Sequence, residues 1–411
     1  AVTLYQALNE TYKNNTQLNA ERENIKAAEE DINISQADYL PSVSLSGSKS
    51  FENTNTLTNQ SGGDASIEDV DPFTTSIKLE QTIFDYGRDL TLEKNIISLD
   101  LANAKLIKKE QDVLHNAINA FTNLILAREK LNINSKNLNL LIRQVEDDKI
   151  RRDRGQITNT DVAQSESSLA GAQAQFAKSK SELMISKLNY ENIIGKIDDP
   201  NLLKKNSNAI VSIPKTLREA IDLSKQNNPD IKIAKLDLEI SEKELTISES
   251  DLKPTASVSL ERSYTDDFSS TVAEREKDIL KATVSWPFYS GGEKRYKISK
   301  NSNLTTRKRL LLDDAIRSNE TKVASAWSSL ESSKSFLNSV KVQLRSAQIA
   351  NEGIAAEYER GSRTTLDVIQ SNSLLLTAQI SLANSQRNHL MAQYNLLKSI
   401  GLLNSNNLKL K

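Results

Sequence analysis

The sequence predicts a mostly α-helical chain with membrane β-structure. The expected assembly is a trimeric 12-stranded β-barrel continuous with a long α-helical coiled-coil barrel, built from two tandem structural repeats per chain. Three observations predict it. The 411-residue chain repeats its own motifs at a separation of about 205–215 residues. Residues 88–152 and 293–358 are nearly free of Gly and Pro and read as single helices of roughly 65 residues, close to 100 Å each at about 1.5 Å per residue. Each repeat holds one pair of alternating strands, too few to close a barrel alone.

The repeat is carried by three motif pairs. Leu40-Pro41-Ser42-Val43-Ser44-Leu45-Ser46 is answered by Lys253-Pro254-Thr255-Ala256-Ser257-Val258-Ser259. Ile83-Phe84-Asp85-Tyr86-Gly87 is answered by Phe288-Tyr289-Ser290-Gly291-Gly292. Arg154-Gly155-Gln156-Ile157-Thr158-Asn159-Thr160-Asp161-Val162 is answered by Arg360-Gly361-Ser362-Arg363-Thr364-Thr365-Leu366-Asp367-Val368. No linker rich in Pro, Gly or Ser separates the halves, so the repeats divide as 1–213 and 214–411.

Composition fits long helices with one apolar stripe and a wet opposite face: hydrophobic residues are 37% and charged residues 26%, with only 7 Pro and 12 Gly. A net charge of −1 argues against a nucleic-acid partner, which needs a basic surface. No stretch approaches 18 consecutive apolar residues, so a membrane-spanning helix is not expected, while barrel strands stay possible. There are no cysteines, hence no disulfide, thiolate metal site or lipidated N-terminal Cys. Ala1-Val2-Thr3-Leu4-Tyr5 already reads as folded sequence: either a processed chain or one that never leaves the cytosol.

In order along the first repeat, helices are expected at 3–14 and about 19–39, strands at about 41–51 and 73–84, and the long helix at 88–152, followed by a helix at 161–195. The second repeat gives helices at 215–227 and 229–252, strands at about 254–264 and 279–289, the long helix at 293–358 and a helix at 367–400. The chain at 196–214 and the tail after Gly401 should form a small separate layer. Seven-residue seams support the long helices: Ile316, Val323, Leu330, Leu337 and Leu344, with Ala326, Ser333, Val340, Ala347 and Ile354 alongside. The first repeat carries Ala117, Leu124, Leu131, Leu138 and Val145, with Ala120, Ala127 and Leu141. Phe121 and Trp327 occupy equivalent places and read as core.

The strands alternate apolar with Ser, Thr, Lys and Glu, a pattern shared by a sheet on a soluble core and a barrel wall in lipid. Three details favour the barrel. Strands of about 10 residues span a tilted bilayer crossing. The second face suits water, and aromatics (Phe51, Phe73, Tyr264, Trp286, Phe288, Tyr289) cluster near strand ends. Lys49 and Arg262 fall on the outward face, where mid-bilayer placement is costly. Residues 52–72 and 265–278 read as polar connections. Because open edges are not tolerated in lipid, a symmetric oligomer must supply the missing strands, and three copies give twelve.

Gly155 and Gly361 punctuate unbroken helices and mark turns between antiparallel partners. Arg363 suits a bidentate carboxylate contact, for which Asp161 is a candidate. The alternative for Asp161 and Asp367 is that they only cap their helices. His115 and His389, the only histidines, are far apart and show no metal-ligand pattern. Gly291-Gly292 is followed by no Gly-Lys-Ser/Thr and resembles no phosphate loop. No enzyme, cofactor or metal is expected.

Taken together, Tyr39-Leu40-Pro41-Ser42, Gln81-Thr82-Ile83-Phe84-Asp85, Pro287-Phe288-Tyr289-Ser290-Gly291-Gly292 and Tyr358–Val368 make the chain similar to the TolC-type outer-membrane efflux family over essentially its whole length. Lacking an N-terminal Cys, it resembles the non-lipidated branch. The resemblance implies a homotrimer in the bacterial outer membrane, with a long helical tunnel through the periplasm. It implies a passive exit duct for drugs, toxins or exported solutes in efflux or type I secretion. Its closed inner end would open when an inner-membrane pump and its periplasmic adaptor, a membrane fusion protein, dock. By the same resemblance Tyr358, Arg363, Thr160 and Asp161 tie the inner helices, and Asp367 is the upper acidic residue of the constriction. Gln370 stands where a second Asp is usual. Arg154, Gly155, Arg360 and Gly361 mark the helix turns that meet the adaptor. The competing reading is a soluble periplasmic adaptor or coiled-coil scaffold, which would flank one hairpin with β-rich segments instead of repeating a strand pair.

Overall fold

The computed structural model describes residues 2–58, 60–63, 69–206 and 209–410. The elements run α1 (Leu4–Asn14), α2 (Thr16–Ala37), β1 (Ser42–Lys49), β2 (Phe73–Phe84), α3 (Tyr86–Asp153), α4 (Asn159–Ile193), α5 (Leu217–Asn227), α6 (Pro229–Ser250), β3 (Thr255–Ser269), β4 (Val272–Ser285), α7 (Glu293–Glu359), α8 (Thr365–Ile400) and α9 (Ser405–Leu408). The second half repeats the order of the first. The chain parts into two compact units, one of segments 1–23, 104–233 and 313–411, the other of segments 24–103 and 234–312.

In the first unit, apolar faces of α1, α3 and α8 meet. Leu4, Leu8, Leu114, Ile118, Phe121, Leu124, Tyr394, Leu397 and Ile400 belong to one buried cluster. Full burial of a Leu, Ile or Phe side chain contributes about 1.5–3 kcal/mol, so this cluster anchors the unit. Phe121 lies in it, 6.4 Å from the Tyr190 ring, and Trp327 packs at its margin. The second Asn of each Asn-Asn pair caps the next helix. Asn15 Oδ1 accepts from Gln17 N and Leu18 N at 3.1 Å, and Asn228 Oδ1 accepts from Asp230 N at 2.8 Å. These bonds satisfy amides that a helix start otherwise leaves open.

The described residues of 196–214 and of the tail are not a separate layer. Ile197, Leu203, Leu403 and Leu408 enter the same core, Arg128 Nη1 donates to Pro200 O at 2.8 Å, and Tyr394 Oη accepts from Ile210 N at 3.1 Å. Their apolar side chains have no other place to leave water.

The second unit contains one antiparallel sheet in the order β1-β2-β3-β4. Its register aligns Val43, Leu79, Leu260 and Leu280 in one row and Leu45, Ile77, Arg262 and Asp278 in the next. Pleating puts both rows on one face. That face is not covered within the chain: Leu45 is 81% exposed, Leu280 75% and Val284 74%. The opposite face is polar, with Ser46 and Ser76 hydroxyls 2.7 Å apart and Thr74 and Thr265 hydroxyls 3.0 Å apart.

Two expectations change here. Residues 265–278 are largely strand, not connection: β3 continues to Ser269 and β4 begins at Val272. The extension is held by ladder bonds from Tyr264↔Glu276 to Asp266↔Glu274, and its polar side chains give no apolar alternation to read. β4 also ends at Ser285, so Trp286, Phe288 and Tyr289 lie beyond it; Trp286 Nε1 donates to Leu252 O at 3.1 Å. Arg262 does stand on the outward face, and it is paired there. Its guanidinium meets Glu276 at 3.5 Å and Asp278 at 3.9 Å on the adjoining strand. Lys49 donates to Asp71 O and sits 5.9 Å from the Phe51 ring, close to the end of β1.

Candidate functional site

Both interhelical turns share one chemistry, Arg-Gly-x-x-Thr-x-x-Asp. α3 ends through Gly155, at φ +74°, with Gln156 N returning to Arg151 O at 2.9 Å. α7 ends through Gly361, at φ +78°, with Ser362 N returning to Glu357 O at 2.9 Å. The left-handed residue is Gly because a Cβ disfavours that conformation.

Each turn then starts a helix with a reciprocal cap. Thr158 Oγ1 accepts from Asp161 N at 3.3 Å, while Asp161 Oδ2 accepts from Thr158 N at 2.8 Å. Thr364 and Asp367 repeat the arrangement, with Asp367 Oδ2 accepting from Thr364 N at 3.0 Å. The Thr364 backbone and hydroxyl donors, assisted by Arg363, hold the Asp367 carboxyl below its ordinary range. Both aspartates therefore take part in capping boxes at the start of their helices.

Arg363 has a carboxylate partner inside its own chain. Within the chain its Nε pairs with Glu357 Oε2 at 2.6 Å, not with Asp161. Glu357 lies six residues away across the same turn, so the pair forms locally, and both side chains remain about half exposed. Thr160, Gln370, Arg154, Gly155, Arg360 and Gly361 are all exposed on the turns or the first turns that follow.

Tyr358 is the predicted residue that the fold buries, and it leads to a group the sequence did not single out. Its hydroxyl donates to Asp148 Oδ1 at 2.6 Å, linking α7 to α3. Asp148 is wholly buried. It also accepts from Gln144 Nε2 at 2.9 Å and from the Ser165 hydroxyl of α4. Arg151 lies 4.3 Å over the Tyr358 ring, and its Nη1 donates to Tyr358 O at 3.3 Å. Burial and the Asp148 hydrogen bond push the Tyr358 phenol above its ordinary range, so it stays a donor at neutral pH. A buried carboxylate with three donors fixes where two helical hairpins meet. The signal was present in the seam: the series Ala120, Ala127, Leu141 continues through positions 134 and 148, which are Asn134 and Asp148, both buried. A charged residue on an apolar seam requires partners.

The duplicated helix–strand order can now be set beside known proteins. The family model for the outer membrane efflux protein matches residues 7–196 and 220–402, once per half. The chain belongs to this family. It is 25% identical to the outer membrane efflux protein BepC of Brucella suis, over all of this chain and 87% of that one. It is 24% identical to the outer membrane protein TolC of Escherichia coli, over 99% of this chain and 84% of that one. The solved outer membrane protein VceC of Vibrio cholerae superposes with a TM-score of 0.81 at 16% identity, covering 97% and 96% of the two chains. At that identity the superposition speaks for the fold. Membership makes the chain an outer-membrane efflux protein of two repeats. Among the described residues no helix is long and apolar enough to cross a membrane.

Proposed function

We propose that three copies of this chain form an outer-membrane exit duct, conducting drugs, toxins or exported solutes passively from the periplasm or an inner-membrane pump to the exterior. The observation that carries this is the four-stranded sheet. β1 and β4 end it without a further strand among the described residues, and its aliphatic rows face outward uncovered. In water such a face would collapse or aggregate. In a bilayer the rows meet lipid, and two sister chains complete a closed ladder of twelve strands. The Ser, Thr, Lys and Glu face then lines a wet lumen, suited to conduction with little selectivity.

In this reading the two repeats, 1–213 and 214–411, supply equivalent staves of the wall. The interhelical turns are its inner end. Tyr358 with Asp148 holds the two hairpins of one chain together. Arg363, Thr160 and Asp161 face the neighbouring chain, and Asp367 with Gln370 rings the axis. Docking of a periplasmic adaptor at Arg154, Gly155, Arg360 and Gly361 would shift the hairpins between two packings and open the duct.

Extraction tests the assembly. The chain should leave membranes only with detergent and give three-fold particles by electron microscopy, with steps of current in planar bilayers. A monomer that stays soluble without detergent and carries no current would leave the coiled-coil scaffold as the better reading.

A further inference from the structure

We propose that the cavity between the start of α3, the end of α6 and the start of α7 binds a phosphate oxyanion, free or carried on an organic group. The cavity, of about 430 Å³, lies within the second unit and is lined by Arg88, Lys253 and Lys294 together with Thr255 and Ser285. Ligand sites commonly span about 300–1,000 Å³. Two acids, Asp85 and Asp251, also line the cavity, and Asp251 is paired with a further lysine, so cations stay in excess. Asp251 Oδ2 takes Lys297 Nζ at 2.5 Å, Asp85 Oδ1 accepts from Gly87 N at 2.9 Å, and Asp89 accepts the Tyr39 hydroxyl.

The cations are held in place by neutral partners. Arg88 stacks 4.0 Å from the Tyr39 ring and donates through Nη1 to Asp38 O at 3.3 Å and Thr82 O at 3.1 Å. Its Nε is buried without a hydrogen-bond partner. Lys253 Nζ sits 3.3 Å over the Tyr86 ring, and Lys294 Nζ donates to Asp251 O. Carbonyls and rings position a cation without cancelling its charge, so Arg88, Lys253 and Lys294 outweigh the unpaired Asp85 carboxylate and leave a net positive lining. An oxyanion relieves that repulsion. Phosphate suits it better than a carboxylate, because three or four oxygens match a guanidinium edge and two ammonium groups at once. Thr255 and Ser285 pair across β3 and β4 on the hydroxyl-bearing face and can donate to the remaining oxygens.

The site concerns equilibrium binding, so its test does not depend on conduction. Detergent-solubilised full-length protein is titrated calorimetrically with glycerol 3-phosphate, with glycerol, and with short-chain phosphatidylglycerol. Glycerol 3-phosphate should bind saturably and glycerol should not. K253Q/K294Q should weaken binding at least ten-fold, whereas K277Q, on the sheet away from the cavity, should not. Arg88→Lys keeps the charge but loses the fork, and should weaken binding less than the double variant. If only phosphatidylglycerol binds and K253Q/K294Q abolishes it, the oxyanion site stands and its source is a lipid headgroup. No binding of either phosphate compound, or binding unchanged in K253Q/K294Q, would overturn the proposal.

Discussion

Tyr358→Phe should open the duct without unfolding it, and its effect can be bounded from the geometry. Phe keeps the ring that packs against Arg151 and removes only the hydroxyl, which donates to Asp148 at 2.6 Å. A hydrogen bond to a charged acceptor contributes about 1.5–3 kcal/mol. At about 1.4 kcal/mol per factor of ten, the closed packing loses roughly 10- to 100-fold relative to the open one for each chain of the trimer. Asp148 retains Gln144 and Ser165 as donors, which places the loss toward the lower bound. Single-channel recording in planar bilayers reads this as a higher open probability. Ser165→Ala is the decisive control. It strips a donor from the same carboxylate, but Ser165 and Asp148 belong to the α3–α4 hairpin, so the link to α7 survives. It should lower the melting temperature and leave the open probability alone. An open probability raised equally by Ser165→Ala, or unmoved by Tyr358→Phe, would refute the idea that this bond holds the gate.

Further outcomes follow from the same structure. Because the Tyr358 phenol is raised above the ordinary 10.0, its contribution is complete below about pH 10 and is lost as pH climbs through the raised value. Wild-type conductance should therefore hold steady up to about pH 10 and rise only above it, while Tyr358→Phe stays flat throughout. Gly401→Ala places a Cβ 2.2 Å from Asn227 O at φ +86°, whereas Gly155→Ala meets nothing within 4 Å at φ +74°. The latter costs about 1–2 kcal/mol of backbone strain, and thermal melts should show a clearly larger loss for Gly401→Ala. Arg262→Ala leaves Glu276 and Asp278 unpaired on the lipid-side face, so trimer yield on unheated gels should fall. Adding Glu276→Ala and Asp278→Ala should recover part of that yield.

The sequence by itself determined the repeat, the helices and the strand faces, because each rests on periodicity. A seam every seven residues forces α3 and α7 to be long. The alternation in β1 and β2 fixes which side chains share a face, and the Arg-Gly turns declare where helices reverse. Tertiary structure alone decided the pairings that carry no period. The 265–278 hairpin is strand because backbone ladders and cross-strand charges hold it, not because its side chains alternate in polarity. Within its own chain Arg363 pairs with Glu357 because the turn folds that carboxylate back beside it. The described residues of 196–214 join the core through contacts that no window of sequence records. Asp148 shows the boundary between the two: its place on the seam was legible, but its role depends on Tyr358 arriving from a helix more than two hundred residues away. Burial makes a carboxylate costly, and only the packed chain shows which donors offset that cost.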